Sequence, residues 1–548
     1  MVLAGCKSFT LHDTEKVRQL DLAGQFFLQP DDVGKSRVDA CLHRLQQLNF
    51  YVKCKSAPKL PIPTTEEELA KEPWCLDAFD VVILTNQTFA TNAAVNAFCR
   101  KHGKKFMSVD VFGLFGRIFN DFGPEFQVLD KNGEELQDCM IKDIPISENA
   151  LVELLPQHKH KFEDGDLVHF VGIEGMQLLE GQDQNEANKE VKSGSINDTI
   201  WKVQTKTPYS FYIGDTRMYA KYEAQGIAKQ VRMKMDLKMK SFQEIMQSAE
   251  CKFDENLIYA DPEKFGHSEA SHVLFQAMDA FREKHSGQLP SAWSAEHAVE
   301  FVNLAKGLNK EWTGKFDDVK KELLLACQFS LTAQGVFNPL TAYFGGFVAQ
   351  EIVKAITNKF TPVNQAYYYN ACEVCPDFEF TEEMLSDVAA FSAAIKQHQS
   401  DLTDRQQGLR ICVGHELTEK LKYTKLFMVG AGAIGCELLK NYAMLGVGTG
   451  KPTYGKPAGQ IVLTDPDIIE VSNLNRQFLF REKHLRKPKS QTAAAAAVYM
   501  NAELKDNIIA RLDKVHDGTA YIFTDKFFEE QSIVTNALDN IMARKYID

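Results

Sequence analysis

The sequence lacks three features that would each indicate a class of protein. No apolar run approaches the roughly 20 residues that a membrane-spanning helix needs, and Met1–Thr10 lacks the apolar core of a secretory signal. Basic residues do not outnumber acidic ones, and the formal net charge is −12, whereas a nucleic-acid binder usually carries a basic face. We therefore expect a soluble intracellular protein that has no membrane or nucleic-acid partner.

Paired cysteines are also scarce, although the chain contains 12 cysteines. Only Cys372 and Cys375 form a C-x-x-C motif, and a zinc ribbon needs a second such pair to complete its four ligands. We interpret these two residues as reduced thiols beside a strand.

With 548 residues, the chain is too long for one hydrophobic core and predicts several units of ordinary domain size. Apolar runs at Ser8–Asp13 and Asp80–Thr85 predict buried strands, and helical spacing over Gly34–Asn49 completes an α/β pattern. Short alternating runs such as Leu167–Val171 and Ser210–Ile213, separated by turn residues, predict a small β-barrel.

Helical spacing returns in Ala270–Lys284 and Ala295–Leu308, which predicts a helical bundle. Ala342–Thr357 predicts a further helix, and Met384–Arg405 predicts a polar helical connector. The resulting division is 1–146 and 329–380 as two parts of one α/β unit, 147–237 as the β-barrel, 238–328 as the bundle, 381–424 as the connector and 425–548 as a second α/β unit.

The two α/β units resemble each other, which indicates an internal repeat. The main matches lie 452 positions apart, as residues 13 and 465 do, and no gap separates them. They are Leu11–Asp13 with Leu463–Asp465 and Gln25–Leu28 with Gln477–Phe480, and a later match pairs Val82–Asn86 with Ile533–Asn536.

The two copies differ in the residues that could carry chemistry. The charges are kept in the second copy and lost from the first, so we predict that one copy is a scaffold and the other an active site. The differences are Arg476 against Gly24, Arg481 against Gln29, Asn475 against Ala23 and Asp539 against Phe89.

The second copy has a glycine-rich turn between a predicted strand and a predicted helix. Gly430, Gly432 and Gly435 form a G-x-G-x-x-G motif after Leu426–Val429 and before Cys436–Leu445. Such glycines let the backbone approach a phosphate or a ribose near a helix N-terminus. A dinucleotide-binding fold would show the same motif, so the motif alone does not identify the ligand.

Charged residues after the next strand distinguish the possible ligands. The predicted strand Gln460–Thr464 ends at Asp465, a candidate acceptor for ribose hydroxyls. Arg476, Arg481 and Lys489 follow, and a nicotinamide enzyme has no need for such cations there. A triphosphate does need them, because cations and Mg²⁺ offset the charge that develops as pyrophosphate leaves.

The chain after the last predicted strand, Ser532–Asn536, offers a metal ligand. Asp539, followed by Asn540, lies where a carboxylate could hold Mg²⁺, although Asp539 could also simply cap the next helix. A solvated basic face is the preferred interpretation for Lys483, Arg486 and Lys487.

Three segments of the second copy carry a family resemblance. Residues 472–481, preceded by residues 430–441 and followed by residues 535–540, closely resemble the adenylation domain of ubiquitin-activating enzymes, of the ThiF/MoeB-like kind. In the first copy, residues 113–123 and 338–355 are similar to the inactive adenylation half of that family. The resemblance implies two pseudo-symmetric Rossmann-like units.

The same resemblance implies the identity of the inserted segments and of the site residues. Residues 147–237 would be the first catalytic-cysteine half-domain, and residues 238–328 a four-helix bundle. The implied roles are nucleoside contact for Ala433 and Asp465, ribose and phosphate binding for Asn475, Arg476, Gln477 and Lys489, transition-state support for Arg481, and Mg²⁺ binding for Asp539 with Asp467, beside the glycines 430, 432 and 435 and Asn540.

The chain also departs from the family pattern. The family's nucleophilic cysteine lies downstream of the adenylation motifs, and no cysteine here matches its position before Asp548. The R-Y-D-G-Q expected before the active half is Arg405–Leu409 (R-Q-Q-G-L) here. We expect the chain to be the interior of a larger protein, missing the family's first strand, N-terminal arginine segment, catalytic-cysteine domain and ubiquitin-fold domain.

The predicted function is Mg·ATP-dependent adenylation of the C-terminal carboxylate of ubiquitin, weak at best in this fragment and without a thioester step. Ubiquitin would be the partner of a cytoplasmic and nuclear monomer, and conjugating enzymes would join only a full-length form. One alternative is a non-catalytic remnant that binds ubiquitin or a partner subunit. A nicotinamide oxidoreductase, suggested only by the glycine motif, is another.

Overall fold

The computed structural model describes residues 1–179, 194–248, 264, 267–308, 319–538 and 541–548. The chain separates into two compact units. The larger unit comprises Met1–Gly123, Met239–Glu351 and Val363–Asp548, and the smaller comprises Pro124–Lys238 and Ile352–Pro362.

Strands occur in both units. In chain order they are β1 (Ser8–Leu11), β2 (Lys53–Ser56), β3 (Val81–Thr85), β4 (Lys105–Phe112), β5 (Phe115–Asp121), β6 (Glu125–Val128), β7 (Asp138–Asp143), β8 (Leu151–Leu154), β9 (Leu167–Val171), β10 (Ile200–Lys202), β11 (Gln204–Thr207), β12 (Ser210–Tyr212), β13 (Ile227–Val231), β14 (Met235–Lys238), β15 (Ala366–Asn370), β16 (Lys425–Val429), β17 (Gln460–Thr464), β18 (Ile508–Arg511) and β19 (Ile533–Asn536).

Most of the helices belong to the larger unit. They are α1 (Asp21–Gly24), α2 (Arg37–Gln46), α3 (Glu66–Ala70), α4 (Phe89–Lys101), α5 (Phe242–Met246), α6 (His267–Lys284), α7 (Ala295–Leu308), α8 (Val319–Thr332), α9 (Asn338–Thr357), α10 (Val388–Ile395), α11 (Gln407–Lys422), α12 (Ala433–Leu445), α13 (Lys489–Met500), α14 (Asp525–Glu529) and α15 (Ile541–Ile547). None of these helices is both long and apolar enough to cross a membrane.

The second α/β copy is a parallel sheet of order β18-β17-β16-β19. The central strands β16 and β17 are short apolar runs that are almost fully buried, as parallel strands covered on both faces are. Since β16 pairs with β17 on one side and β19 on the other, the order of the strands reverses at β16, and ligands of such sheets bind at the carboxyl end of the strand where this happens.

The first copy forms two sheets. Strand β1 pairs in parallel with β2, and a four-stranded sheet has the order β15-β5-β4-β3, in which only β3 and β4 are parallel. The two copies together confirm the mixed α/β fold that the sequence predicts.

The structure reproduces the internal repeat at the predicted spacing. The 3₁₀ turns Pro30–Asp32 and Glu482–His484 lie 452 positions apart, and so do the first residues of α2 and α13. Isolated backbone bridges repeat in the same way, as Lys16 with Ser36 and Ile468 with Pro488. The copies therefore share local geometry as well as sequence.

Helices α6, α7 and α8 share a hydrophobic core with the β4–β5 hairpin. The Phe115 ring stacks on Phe329, with centroids 4.2 Å apart. The buried guanidinium of Arg117 donates to Asp110 at 2.6 Å and to Asp279 of α6 at 3.1 Å. Because an unpaired buried charge is costly, this pairing fixes α6 against the sheet.

The smaller unit is built on an antiparallel sheet of order β10-β9-β13-β7-β8-β12-β11. One face of this sheet covers an apolar core that includes Val168, Phe170 and Phe211. A two-stranded sheet of β6 and β14 lies in the same unit. The predicted boundaries of a separate β-barrel, helical bundle and connector remain predictions.

Two predicted helices differ from the structure. Helix α9 begins at Asn338 rather than Ala342. The predicted helix over Met384–Arg405 is wrong at its end, because α10 stops at Ile395 and no α-helix is described between there and α11. Side chains at Ser400 and Asp404 accept hydrogen bonds from the backbone two residues on, which competes with helix formation.

Candidate functional site

The glycine motif forms the turn between β16 and α12. Gly430 has φ +102°, and a Cβ there would lie 2.5 Å from the Ala537 carbonyl oxygen. A Cβ at Gly435 would lie 2.2 Å from the Gly430 carbonyl oxygen, so both positions require glycine. A Cβ at Gly432 would meet no atom within 4 Å, so the backbone beside the first residue of α12, Ala433, faces open space.

Asp465 follows β17 and fixes the glycine turn through hydrogen bonds to its carboxylate. One carboxylate oxygen accepts the N–H of Ala431 at 2.7 Å and the other accepts the N–H of Asp467 at 2.9 Å. The side chain is buried, and burial raises its pKa while these backbone hydrogen bonds oppose the rise. The predicted ribose acceptor is thus tied to the glycine turn.

Lys489 connects this turn to helix α13. Its ammonium lies 2.8 Å from a carboxylate oxygen of Asp467, whose side chain is 64% exposed. Its backbone N–H donates to the Asp467 carbonyl at 2.9 Å, and the Ser490 hydroxyl donates to the Asp465 carbonyl at 3.3 Å. The structure therefore brings together the glycine turn, Asp465, Asp467 and Lys489.

Residues between β17 and α13 form a compact segment that carries several exposed cations, Arg476 among them. Arg476 and Asn475 are exposed, and the Arg476 guanidinium donates to the Ser472 carbonyl at 2.7 Å and to Asn475 at 3.1 Å. Gln477 is buried, and its side-chain oxygen has no hydrogen-bond partner within the described ranges. An unpaired buried amide oxygen is a candidate ligand contact.

The guanidinium of Arg481 lies against the backbone of the same segment. It donates to the Phe478 carbonyl and, at 2.8 Å, to the Phe480 carbonyl. Burial lowers the pKa of Arg481, yet the group stays charged. Among the described contacts, no hydrogen bond joins Arg481 or Arg476 to the group around Asp465.

The predicted metal ligand Asp539 and its neighbour Asn540 lie outside the described residues. The chain just before them runs beside the glycine turn, since the Ala537 N–H donates to the Val429 carbonyl at 2.8 Å. Within the part of the chain that the structure describes, no group of three or more acidic, His or Cys side chains could hold a metal ion. Asp467 is the described member of the predicted magnesium pair.

The described cysteines are free thiols. Burial raises the pKa of Cys375 to about 12 and that of Cys372 far above its ordinary value. Each described cysteine whose pKa departs from the ordinary value departs upward, which opposes thiolate formation. None of these environments suits a nucleophilic cysteine.

A cavity of about 330 Å³ lies at the matching place in the first copy. It is lined by Asp13 and Arg37, the counterparts of Asp465 and Lys489, and by Asp21. The Asp13 carboxylate accepts the Glu15 N–H at 2.7 Å, as Asp465 accepts that of Asp467. Asp13 and Asp465 therefore have the same local backbone contact in the two copies.

Sequence reasoning missed the residues that join the two copies. Lys440 places its ammonium 5.4 Å from the ring centroids of both Phe26 and Phe478. Arg405 donates to the Leu22 carbonyl in the first copy and to the Met500 carbonyl in the second. The repeat offset, which pairs Phe26 with Phe478, is the signal that could have found the first contact.

The site has the properties of a nucleotide site. An open backbone position at Gly432 stands at the N-terminus of a helix of 13 residues, where the helix dipole favours anions. A carboxylate and an ammonium, Asp465 and Lys489, lie beside it at the carboxyl edge of the sheet. The described residues therefore fit a ribose and a phosphate chain.

Two curated relatives are similar to this chain along its whole length. Ubiquitin-like modifier-activating enzyme 6 of Homo sapiens is 36% identical over 555 residues, covering 100% of this chain and 47% of the relative. Ubiquitin-like modifier-activating enzyme 1 of Homo sapiens is 35% identical over 548 residues, with the same coverage of 100% and 47%. The chain spans about half the length of the curated relatives it matches.

A solved structure, TcdA (CsdL), is 20% identical, covers 26% of this chain and 53% of its own, and has a TM-score of 0.22, too low to describe the fold. The model of the ThiF family matches residues 1–384 and 403–548, which includes both copies of the repeat. With its full-length similarity to ubiquitin-activating enzymes, the chain belongs to the ThiF family.

Proposed function

We propose that this chain adenylates the C-terminal carboxylate of ubiquitin in an Mg·ATP-dependent reaction, the first step of ubiquitin activation. The observation that carries the proposal is the linked group of the glycine turn, Asp465, Asp467 and Lys489 at the sheet edge. Similarity to ubiquitin-activating enzymes along the whole chain supports ubiquitin as the substrate.

The nucleotide would bind along this edge. The backbone at Gly432 and Ala433 leaves room for the ribose or a phosphate at the N-terminus of α12. Asp465 accepts ribose hydroxyls with the lone pairs that its two backbone hydrogen bonds leave free. Asn475 and Gln477 add amide groups from the neighbouring segment.

The cations would act on the phosphates. Lys489 can exchange the carboxylate of Asp467 for a phosphate oxygen, since that carboxylate is 64% exposed and can turn toward water. Arg476 and Arg481 supply guanidinium groups that oppose the charge developing as pyrophosphate departs. Asp467 and Asp539 would hold Mg²⁺, which neutralises phosphate charge when bound.

The reaction forms one bond and breaks one. A carboxylate oxygen at the C-terminus of ubiquitin attacks the α-phosphorus of ATP, and the bond from this phosphorus to the bridging oxygen of the β-phosphate breaks. Ubiquitin adenylate and pyrophosphate are the products. The first copy acts as a scaffold in this proposal.

The test is ubiquitin-dependent exchange of labelled pyrophosphate into ATP by the purified chain. Arg481→Ala should lower the exchange rate by roughly 100-fold or more, as loss of one transition-state donor does. Lys483→Ala is the matched control, because Lys483 is an exposed cation two residues away, and its rate should stay within about twofold.

Two outcomes would contradict the proposal. Ubiquitin binding without any exchange by the folded chain would indicate a non-catalytic binding protein. Exchange that does not depend on ubiquitin would indicate a different acyl substrate.

A further inference from the structure

The two copies of the repeat meet at equivalent residues. Phe26 and Phe478 lie 452 positions apart in sequence, and their rings touch edge to face with centroids 5.2 Å apart. Phe478 is buried in the core of the second copy, and Phe26 packs against that core from the first. The contact therefore joins two positions that are equivalent in the repeat.

Lys440 of α12 lies over both rings. Its ammonium is 5.4 Å from each ring centroid, and its side chain is only 10% exposed. The ammonium also pairs at 2.6 Å with Glu437 of the same helix, whose carboxylate is 54% exposed. The cation–π contacts are the interactions of this ammonium that reach the first copy, and they are shielded from water.

The helix that carries Lys440 is docked on the first copy at a second point. Asn441 accepts a hydrogen bond of 2.5 Å from Asn338, the first residue of α9. Helix α12 also begins at the glycine turn. The first copy therefore contacts the helix whose N-terminus lies at the glycine turn, where the nucleotide is proposed to bind.

Phe478 belongs to the segment that carries the site cations. Arg481 donates to its carbonyl oxygen, and Gln477 and Arg476 precede it. The Gln477 and Arg476 N–H groups both donate to the Asn473 carbonyl, which makes the segment one compact turn. A shift of the Phe478 ring would therefore move the backbone that holds Arg481.

We propose that Lys440 and Phe26 are positioning residues that hold the Arg476–Arg481 segment in place for adenylation, so that the first copy takes part in catalysis through Phe26. The inference rests on the proposed function. Neither residue is among the predicted site residues, and their action passes through Phe478.

The kinetic test uses variants that separate charge from packing. Lys440→Met keeps an unbranched apolar stem and removes the cation, Lys440→Arg keeps the cation, and Phe26→Leu removes the ring. For Lys440→Met, kcat of pyrophosphate exchange should fall about tenfold, whereas KM for ATP should rise by less, about threefold at most. The displaced segment holds the proposed transition-state donor Arg481, so the main loss falls on kcat. The glycine turn, Asp465 and Lys489 lie outside the segment and keep their ground-state contacts to ATP, although Asn475 and Gln477 lie within it.

Rescue and non-additivity distinguish positioning from simple destabilisation. Lys440→Arg should recover activity to within about threefold of the natural chain. The double variant that combines Lys440→Met with Phe26→Leu should be no slower than the slower of these two single variants. Additive losses, or a loss of kcat that follows the melting temperature across the variants, would overturn the proposal.

Amide hydrogen exchange gives a second readout that needs no activity. In Lys440→Met the amides of residues 475–481 should exchange about tenfold faster, while those of β17 remain unchanged. If the natural chain does not catalyse pyrophosphate exchange, the proposed function fails. Amide hydrogen exchange would still show whether Lys440 holds residues 475–481 in place. Unchanged amide exchange in residues 475–481 would overturn it.

Discussion

Arg37 and Lys489 are cations at matched positions of the repeat, and their surroundings differ. Arg37 lies 2.9 Å from Asp21 and 3.6 Å from Asp13, so two carboxylates neutralise it. Within the described ranges Lys489 pairs with one carboxylate, that of Asp467, which is open to solvent. A phosphate can replace a single exposed partner more readily than two, which favours the second copy as the nucleotide site.

Glu322 in α8 is a buried carboxylic acid outside the candidate site. Its side-chain oxygens have no hydrogen-bond partner within the described ranges, and burial raises its pKa from 4.5 to about 7. Between these two pH values the unfolded chain loses the proton and the folded chain keeps it. The free energy of unfolding should therefore fall as pH rises from about 4.5 to about 7, by about 3 kcal/mol from this group.

Glu322→Gln should remove this part of the pH dependence, since an amide does not titrate. Urea unfolding at a series of pH values measures it, and Glu283→Gln, at an exposed position of α6, is the control. A slope between pH 4.5 and 7 that survives in Glu322→Gln would assign the effect to other groups.

Two of the three glycines in the G-x-G-x-x-G motif, Gly432 and Gly435, have different structural requirements. A Cβ at Gly435 would collide with the Gly430 carbonyl, whereas a Cβ at Gly432 meets nothing. Gly435→Ala should lower the free energy of unfolding by roughly 1–3 kcal/mol. Gly432→Ala should leave stability nearly unchanged and raise KM for ATP about tenfold, because its methyl group enters the space predicted for the ligand.

Thermal unfolding and initial-rate kinetics on both variants check this contrast. An unchanged KM in Gly432→Ala would place the nucleotide elsewhere.

The elements that the sequence predicted well have local causes. Strand β17 matches its predicted limits because its three central residues, Ile461–Leu463, are apolar and a polar residue stands at each end. The predicted elements Leu167–Val171 and Ala295–Leu308 also match. Asp465 lies beside the glycine turn because the carboxyl ends of the parallel strands β16 and β17 meet at the same edge of the sheet.

Contacts between distant parts of the chain were not predictable in this way. Lys440 has the helical context of an ordinary surface lysine, and only the fold places Phe26 over it. Arg405 begins a segment that departs from the family motif, and nothing near it in sequence indicates that it contacts the carbonyl groups of Leu22 and Met500. Contacts between residues so far apart in sequence can be identified only from the tertiary structure.

Arg405 joins the two copies of the repeat across the larger unit. Its buried guanidinium donates to Leu22 at 2.9 Å and to Met500 at 3.2 Å, and burial lowers its pKa. Arg405→Met would leave two carbonyl groups without this donor, at a cost of about 1–3 kcal/mol each. We expect the free energy of unfolding to fall by about 2–4 kcal/mol.

Chemical denaturation measures this change, with Arg18→Met as the matched control. Arg18 is 60% exposed and 3.8 Å from its acidic partner, so its loss should cost less than about 0.5 kcal/mol. Equal stability of the two variants would mean that Arg405 does not hold the copies together.

The whole molecule is proposed to couple a scaffold copy to a catalytic copy that forms ubiquitin adenylate. Detection of that product after acid quenching, from ATP labelled at the α-phosphate, tests this claim most directly. We predict that the label appears on ubiquitin, that it requires Mg²⁺, and that Arg481→Ala abolishes it while Lys483→Ala does not. ATP binding by the folded chain with no label on ubiquitin would contradict the account.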